Sequence, residues 1–168
     1  QTCALPICPR LYAIDAATGK LVQSFGENGS VDLHAGLPEW AQKLYVVSTT
    51  PGVIYKDLII VGARLNEAHP AAPGDVRAFN LHDGTLAWTF HSIPQKGEPN
   101  YGTWVGNAAE KRSGVNVWGF FTVDVQRGIA RPPDQLPLHL LLRADCPCVV
   151  GMRWIRKRVL DQINHCIM

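Results

Sequence analysis

Apolar and polar positions alternate along this chain in short runs closed by turn residues, the spacing of strands. The clearest stretch is Val76–Phe90, VRAFNLHDGTLAWTF. It predicts a strand, a tight turn at Asp83-Gly84 and a second strand carrying Trp88, because glycine tolerates the positive φ such turns need. Leu11–Phe25, LYAIDAATGKLVQSF, has the same layout, with its turn at Thr18-Gly19. Laid over each other without gaps, the two match Ala13 to Ala78, Gly19 to Gly84, Leu21 to Leu86 and Phe25 to Phe90. Gln23 stands opposite Trp88, where the match departs badly. A repeated strand–turn–strand unit points to a repeat architecture.

Between and after the repeats the same short period continues. Leu44-Tyr45-Val46-Val47 predicts a strand within Lys43–Thr49, and Val53–Tyr55 with Leu58–Gly62 predicts a pair turned at Lys56-Asp57. Gly26–Trp40, Arg64–Asp75 and the long Ser92–Arg112 are rich in glycine, proline or polar residues and read as loops. Loops as long as the last are usually functional or disordered. Asn116–Asp124 and Gly128–Ala130 resume as strands around Gln126-Arg127-Gly128. Many short strands without a convincing helix argue an all-β fold.

Composition changes this picture mainly at the ends. Sixteen basic and 14 acidic residues leave a net charge of +2, too mild to imply a nucleic-acid or membrane-surface partner. No apolar run is long enough to span a bilayer, and no basic region followed by an apolar stretch marks a signal peptide. All the cysteines, Cys3, Cys8, Cys146, Cys148 and Cys166, lie outside residues 10–130, as do Met152 and Met168. Residues 1–9 contain QTCALPIC, which resembles translated sequencing adapter, and they are set aside. Residues 131–168 lose the strand–turn pattern, turn basic and read as a frameshifted tail with no domain of its own, irregular or weakly helical. Met152, Ile155, Val159 and Ile163 recur at helical spacing, which predicts a basic amphipathic helix over Gly151–Asn164.

The repeat itself, Ala-x-Asp/Asn-x-x-x-Gly with Trp88 closing the second copy, resembles the tryptophan-docking repeat of the quinoprotein dehydrogenases that use pyrroloquinoline quinone (PQQ). The order of the segments Ser24–Leu33, Thr49-Thr50-Pro51, Tyr55–Gly62, Trp88–Pro94 and Gly114–Gly119 also resembles the glucose dehydrogenase-like branch, over about Arg10–Ala130. The resemblance implies a partial β-propeller of about two to three blades, from a ring the family closes with eight. It implies a parent that oxidises a sugar or alcohol with PQQ and Ca²⁺, passes electrons to a quinone or cytochrome, and works in the periplasm. The family's catalytic base lies downstream of Ala130, so none is assigned here and the chain alone is expected to be inactive. The alternative is a non-enzymatic propeller of the same repeat type that binds proteins.

Four site residues follow from the resemblance. Trp118, in Gly114-Val115-Asn116-Val117-Trp118-Gly119, matches the tryptophan that forms a floor under the quinone ring, and an indole face suits a flat cofactor. Thr49 matches a hydroxyl residue that hydrogen-bonds the cofactor. Glu67 falls where related enzymes place an acidic Ca²⁺ ligand, with Asn66 as substitute if the register slips by one; carboxylate and amide oxygens suit this hard cation. Trp88 is expected to dock between neighbouring blades, and Gln23 puts that contact in doubt for the first repeat. His34, His69, His82 and His91 show no metal-ligand spacing, and Cys146-Pro147-Cys148 lacks the second pair a zinc site needs. No H-E-x-x-H, phosphate loop or G-x-S-x-G elbow is present.

Overall fold

The computed structural model describes residues 9–111, 115–132, 139–144 and 149–153. At its centre is a four-stranded antiparallel sheet in the order β4-β5-β7-β8, made of β4 (Val53–Tyr55), β5 (Leu58–Val61), β7 (Val76–Asn80) and β8 (Leu86–Phe90). Successive side chains of a strand point to opposite faces, and the sequence uses both. Ile59 pairs with Phe79 on one face, while Ile60, Ala78 and Trp88 line up across three strands on the other.

Each face has its own core. Ile59, Val61 and Phe79 pack against Leu11, Phe25, Val31 and Leu33 from the N-terminal unit. Ile60, Ala78, Tyr55 and Trp88 pack against Val117, Phe121, Ala130 and Ala144 from the C-terminal unit. A sheet buried on both faces by neighbouring sheets is how propeller blades stack. The C-terminal unit is a second four-stranded sheet, β9 (Thr122–Asp124), β10 (Ile129–Arg131), β11 (His139–Arg143) and β12 (Val149–Arg153), in chain order. Two small ladders complete the strands: β1 (Arg10–Tyr12) with β2 (Ser30–Asp32), and β3 (Val46–Val47) with β6 (Arg64–Leu65). No helix among the described residues is long and apolar enough to cross a membrane.

The expected all-β partial propeller is what forms, with local differences. The second hairpin pairs along its length, Val76 with Phe90 and Ala78 with Trp88. The first does not: Ile14 and Leu21 make a single bridge, and β1 pairs instead with β2. The loop expected over Arg64–Asp75 opens with strand β6, and Ser92–Arg112 holds a 3-10 turn at Tyr101–Thr103 and the short helix α1 (Ala108–Lys111). The strand expected over Asn116–Asp124 shrinks to Thr122–Asp124. The stretch beyond Ala130, expected to be irregular or weakly helical, instead supplies β11 and β12, since the open edge of β10 offers unpaired backbone groups to any extended segment that follows. The expected helix over Gly151–Asn164 begins as strand at Gly151–Arg153, and residues 154–164 lie outside the described residues.

Candidate functional site

The topology of the central sheet gathers the site. In this antiparallel order the start of β4, the end of β5, the start of β7 and the end of β8 lie at one end, as the rungs Val53 with Ile60, Val61 with Arg77 and Val76 with Phe90 require. The opposite end holds the two turns, which meet where Leu81 N–H donates to the Asp57 carbonyl (2.8 Å). Thr49-Thr50, Gly62, Gly74-Asp75 and His91-Ser92 therefore all leave the sheet from one end, and the segment 115–119 lies across them.

That segment is held by its own carbonyls. Ser92 Oγ donates to the Val115 carbonyl (2.7 Å), Thr49 Oγ1 to the Trp118 carbonyl (3.3 Å) and Thr50 Oγ1 to the Gly119 carbonyl (3.2 Å). Between these points the approach is so close that only glycine fits. A Cβ on Gly62 would stand 1.9 Å from the Val117 carbonyl oxygen, and one on Gly74 would stand 2.0 Å from that of Val115. Gly74 also bridges to Asn116 as a parallel pair. The backbone is clamped, Val117 is buried beneath it, and the Trp118 side chain stands 50% exposed.

The polar groups around the clamp are tied in turn. Asp75, buried, accepts the Ser92 backbone N–H at 3.1 Å. Burial pushes its carboxyl above the usual carboxylate range, opposed by that N–H and by nearby His91 and Arg77. His91 Nδ1 lies 2.7 Å from Glu98 Oε1, and Glu98 Oε2 accepts the Gln95 N–H at 2.6 Å, so the turn after β8 closes on itself. Burial weighs against the Glu98 charge, but these two partners outweigh it and hold its carboxyl low. Arg77, only 2% exposed, donates from Nη1 to the carbonyls of Leu33 and Ala35. Burial lowers its guanidinium to about 10, against the pull of Asp75 and Asp32.

Of the sequence-derived candidates, Thr49 and Trp118 are brought into direct contact, through the tryptophan's backbone. Asn66 and Glu67 are exposed in the middle of the loop that joins β5 to β7, just past β6. They leave the β3–β6 ladder at the end away from Thr49, because Val46 pairs with Leu65 and Val47 with Arg64. Among the described residues no three His, Cys, Asp or Glu side chains gather into a metal-binding group. Thr50, Gly62, Gly74 and Ser92 were not singled out by the sequence reading. The legible signal was the pair of glycines bounding the β5–β7 loop, since isolated glycines at strand ends mark close backbone approach.

Blades stacked face to face, with one sheet end clamping a segment that bears a half-exposed indole, define a partial β-propeller. The family model for the PQQ-dependent glucose/ethanol/alcohol dehydrogenase β-propeller domain matches residues 6–133. The chain belongs to that family. It is 36% identical over 119 residues to the quinate/shikimate dehydrogenase (quinone) of Acinetobacter baylyi, covering 70% of this chain and 14% of that enzyme. It is 30% identical over 125 residues to the glycerol dehydrogenase large subunit of Gluconobacter oxydans, covering 74% of this chain and 16% of the relative. The quinohemoprotein alcohol dehydrogenase structure from Comamonas testosteroni superposes with a TM-score of 0.62 at 16% identity, covering 87% of this chain and 24% of that one, and shows the shared fold. The chain thus spans well under a quarter of the length of these curated relatives.

Proposed function

We propose that this chain is part of a PQQ-dependent dehydrogenase that oxidises a sugar or another polyol or alcohol. The observation that carries the reading is Trp118: its backbone is fixed by Thr49, Thr50 and the two glycines, while its indole stays half exposed as a flat surface. A rigid aromatic face that costs little entropy to hold still suits a planar tricyclic ligand. When bound, PQQ supplies the redox chemistry, taking up the two electrons and two protons lost as a hydroxyl becomes a carbonyl. The chain's own residues bind and orient it: Trp118 from below, and Thr49 by fixing the height of that floor. In the structure Thr49 Oγ1 donates to the Trp118 carbonyl, so its direct bond to the cofactor is a proposal that needs the hydroxyl to be shared.

Glu67 is the proposed Ca²⁺ ligand, with Asn66 as its substitute if the register slips by one. Either oxygen suits the ion, which takes six to eight, and since no three His, Cys, Asp or Glu side chains gather among the described residues, carbonyl oxygens and water would supply most of the shell. Electron delivery to a quinone or cytochrome, and a periplasmic setting, belong to the same proposal and rest on family membership.

The test is titration of the purified chain with PQQ, followed by tryptophan quenching, in parallel with a dye-coupled assay on glucose, glycerol and quinate. Saturable quenching that Trp118→Ala abolishes is expected, without turnover. Equal quenching in Trp118→Ala would overturn the platform, and turnover by this chain alone would overturn its dependence on further parts of the propeller.

A further inference from the structure

Asp75 sits at the first turn of chain before β7, 6% exposed, and its carboxylate faces a backbone N–H, not solvent. That N–H belongs to Ser92, whose hydroxyl makes the shortest of the hydroxyl contacts to the clamped segment, to the Val115 carbonyl at 2.7 Å. We propose that Asp75 and Ser92 are positioning residues that set the location of Trp118 through the Val115 end of its segment. This inference rests on the reading of Trp118 as the cofactor platform.

The segment has two attachment points of different kinds. At its C-terminal end Thr49 and Thr50 reach from the connection between β3 and β4. At its N-terminal end the attachment comes from the β7–β8 hairpin, the second repeat: Gly74 by close approach, and Ser92 by its hydroxyl. A segment pinned at one end alone can pivot. Pinned at Val115, three residues before Trp118, and at Trp118 and Gly119 themselves, it presents the indole at one height. Ser92 can serve this purpose only if its own backbone is fixed, and the Asp75 carboxylate fixes it, bonding an N–H two residues past the end of β8 back to the start of β7. The groups facing Asp75 are Ser92 N–H, His91, Arg77 and, more distantly, Glu98. The Arg77 guanidinium offsets part of a charge that burial would otherwise make more costly. An exposed serine chosen only for solubility would need none of this support.

The test uses the purified chain with Ser92→Ala, Ser92→Thr and Asp75→Asn. Subtracting the emission of a matched Trp118→Phe chain isolates the Trp118 signal in each background, and acrylamide quenching of that difference reports its accessibility. Ser92→Ala is expected to raise the quenching constant about twofold and to weaken PQQ binding about three- to tenfold, the effect of one lost hydrogen bond. The denaturation midpoint should move little, since the bond is solvent-accessible. Ser92→Thr, which keeps the hydroxyl, should restore both readouts, and Asp75→Asn, which keeps an acceptor oxygen, should fall between. Unchanged Trp118 quenching in Ser92→Ala overturns the inference, as does a Ser92→Thr chain that behaves like alanine. If Ser92→Ala shifts the Trp118 signal while no variant nor the parent chain binds PQQ, positioning stands and the cofactor reading falls.

Discussion

The two copies of the repeated hairpin share a turn and part company in everything beyond it. In the first, Asp15 N–H donates to the Lys20 carbonyl (2.9 Å) and Gly19 N–H to that of Asp15 (2.8 Å). In the second, Asn80 and Thr85, and Gly84 and Asn80, repeat those bonds at 2.8 and 2.9 Å. Gly19 and Gly84 have φ of 70° and 74°. The side chains of Asp15 and Asn80 each accept a backbone N–H two residues on. Yet Gln23 is exposed where Trp88 is 8% exposed in a core, and one bridge stands where the second copy has a full ladder. Turn geometry is written in a handful of adjacent residues. Ladder length depends on which other strand is present to compete, and in the first copy β2 wins β1.

The largest expected effect tests that asymmetry directly. Trp88→Ala should cost about 3–5 kcal/mol of unfolding free energy in urea, the range for emptying a large aromatic from a core. Gln23→Ala should stay within about 0.5 kcal/mol, as for surface sites. Similar costs at the two positions would mean that the first copy is also docked. The indole Nε1 of Trp88 finds no partner among the described residues, so Trp88→Phe should recover most of the loss.

Arg77 sharpens the comparison next, because it is the strap from the second copy to the loop after β2. Arg77→Ala leaves the Leu33 and Ala35 carbonyls and the Asp75 carboxylate without their cation, and should cost about 3 kcal/mol. The matching residue in the first copy, Tyr12, is only half-buried, and Tyr12→Ala should cost clearly less in the same urea titration.

The turn glycines come third. Both have positive φ, so alanine at either should cost about 1 kcal/mol of backbone strain. A Cβ on Gly19 meets nothing within 4 Å, whereas one on Gly84 would stand 2.5 Å from Val31 Cγ2 and 2.9 Å from the Gly26 nitrogen. Gly84→Ala should therefore lose a further 1–3 kcal/mol, the usual cost of overpacking. Equal thermal shifts for the two variants would show that the second turn is not seated on the first unit.

The smallest effect is on pH dependence. Backbone N–H groups of Thr18 and Thr85, with those residues' hydroxyls, hold Asp15 and Asp83 below the ordinary 3.8. Both turns therefore add stability above about that pH and lose it as the pH falls through the lowered values. Burial raises Asp75 above 3.8, which has the opposite sign: the native state holds the extra proton, so stability declines as pH rises through that value. Denaturation midpoints from pH 3 to 7 should show an acid loss common to both turns and a shallow decline above it. Asp75→Asn should flatten only the decline, and a variant that instead steepens the acid loss would reverse the assignment.

Much of this was legible in advance for physical reasons particular to each residue. The second hairpin was readable because Asp83-Gly84 sits between apolar runs of strand length. Trp118 could be proposed as a platform only through its resemblance to a family segment, since its neighbours in sequence do not say that its backbone will be clamped. Ser92 and Asp75 were not readable, because neither belongs to a local motif and their link crosses the end of a hairpin. Glu67 was proposed by counting along the chain, and where it lies relative to Thr49 depends on the β3–β6 pairing, which counting does not show.

By itself the sequence determined the turns, the two-residue alternation and therefore the two apolar faces of the central sheet, since these depend on neighbours along the chain. Tertiary structure alone decided which strand β1 would pair with, that β11 and β12 would extend a sheet, and that carbonyls of 115–119 would meet hydroxyls and glycines from four separate strand ends. Those outcomes are competitions between distant segments for the same backbone hydrogen bonds and the same buried surface, and no local run of residues encodes the winner.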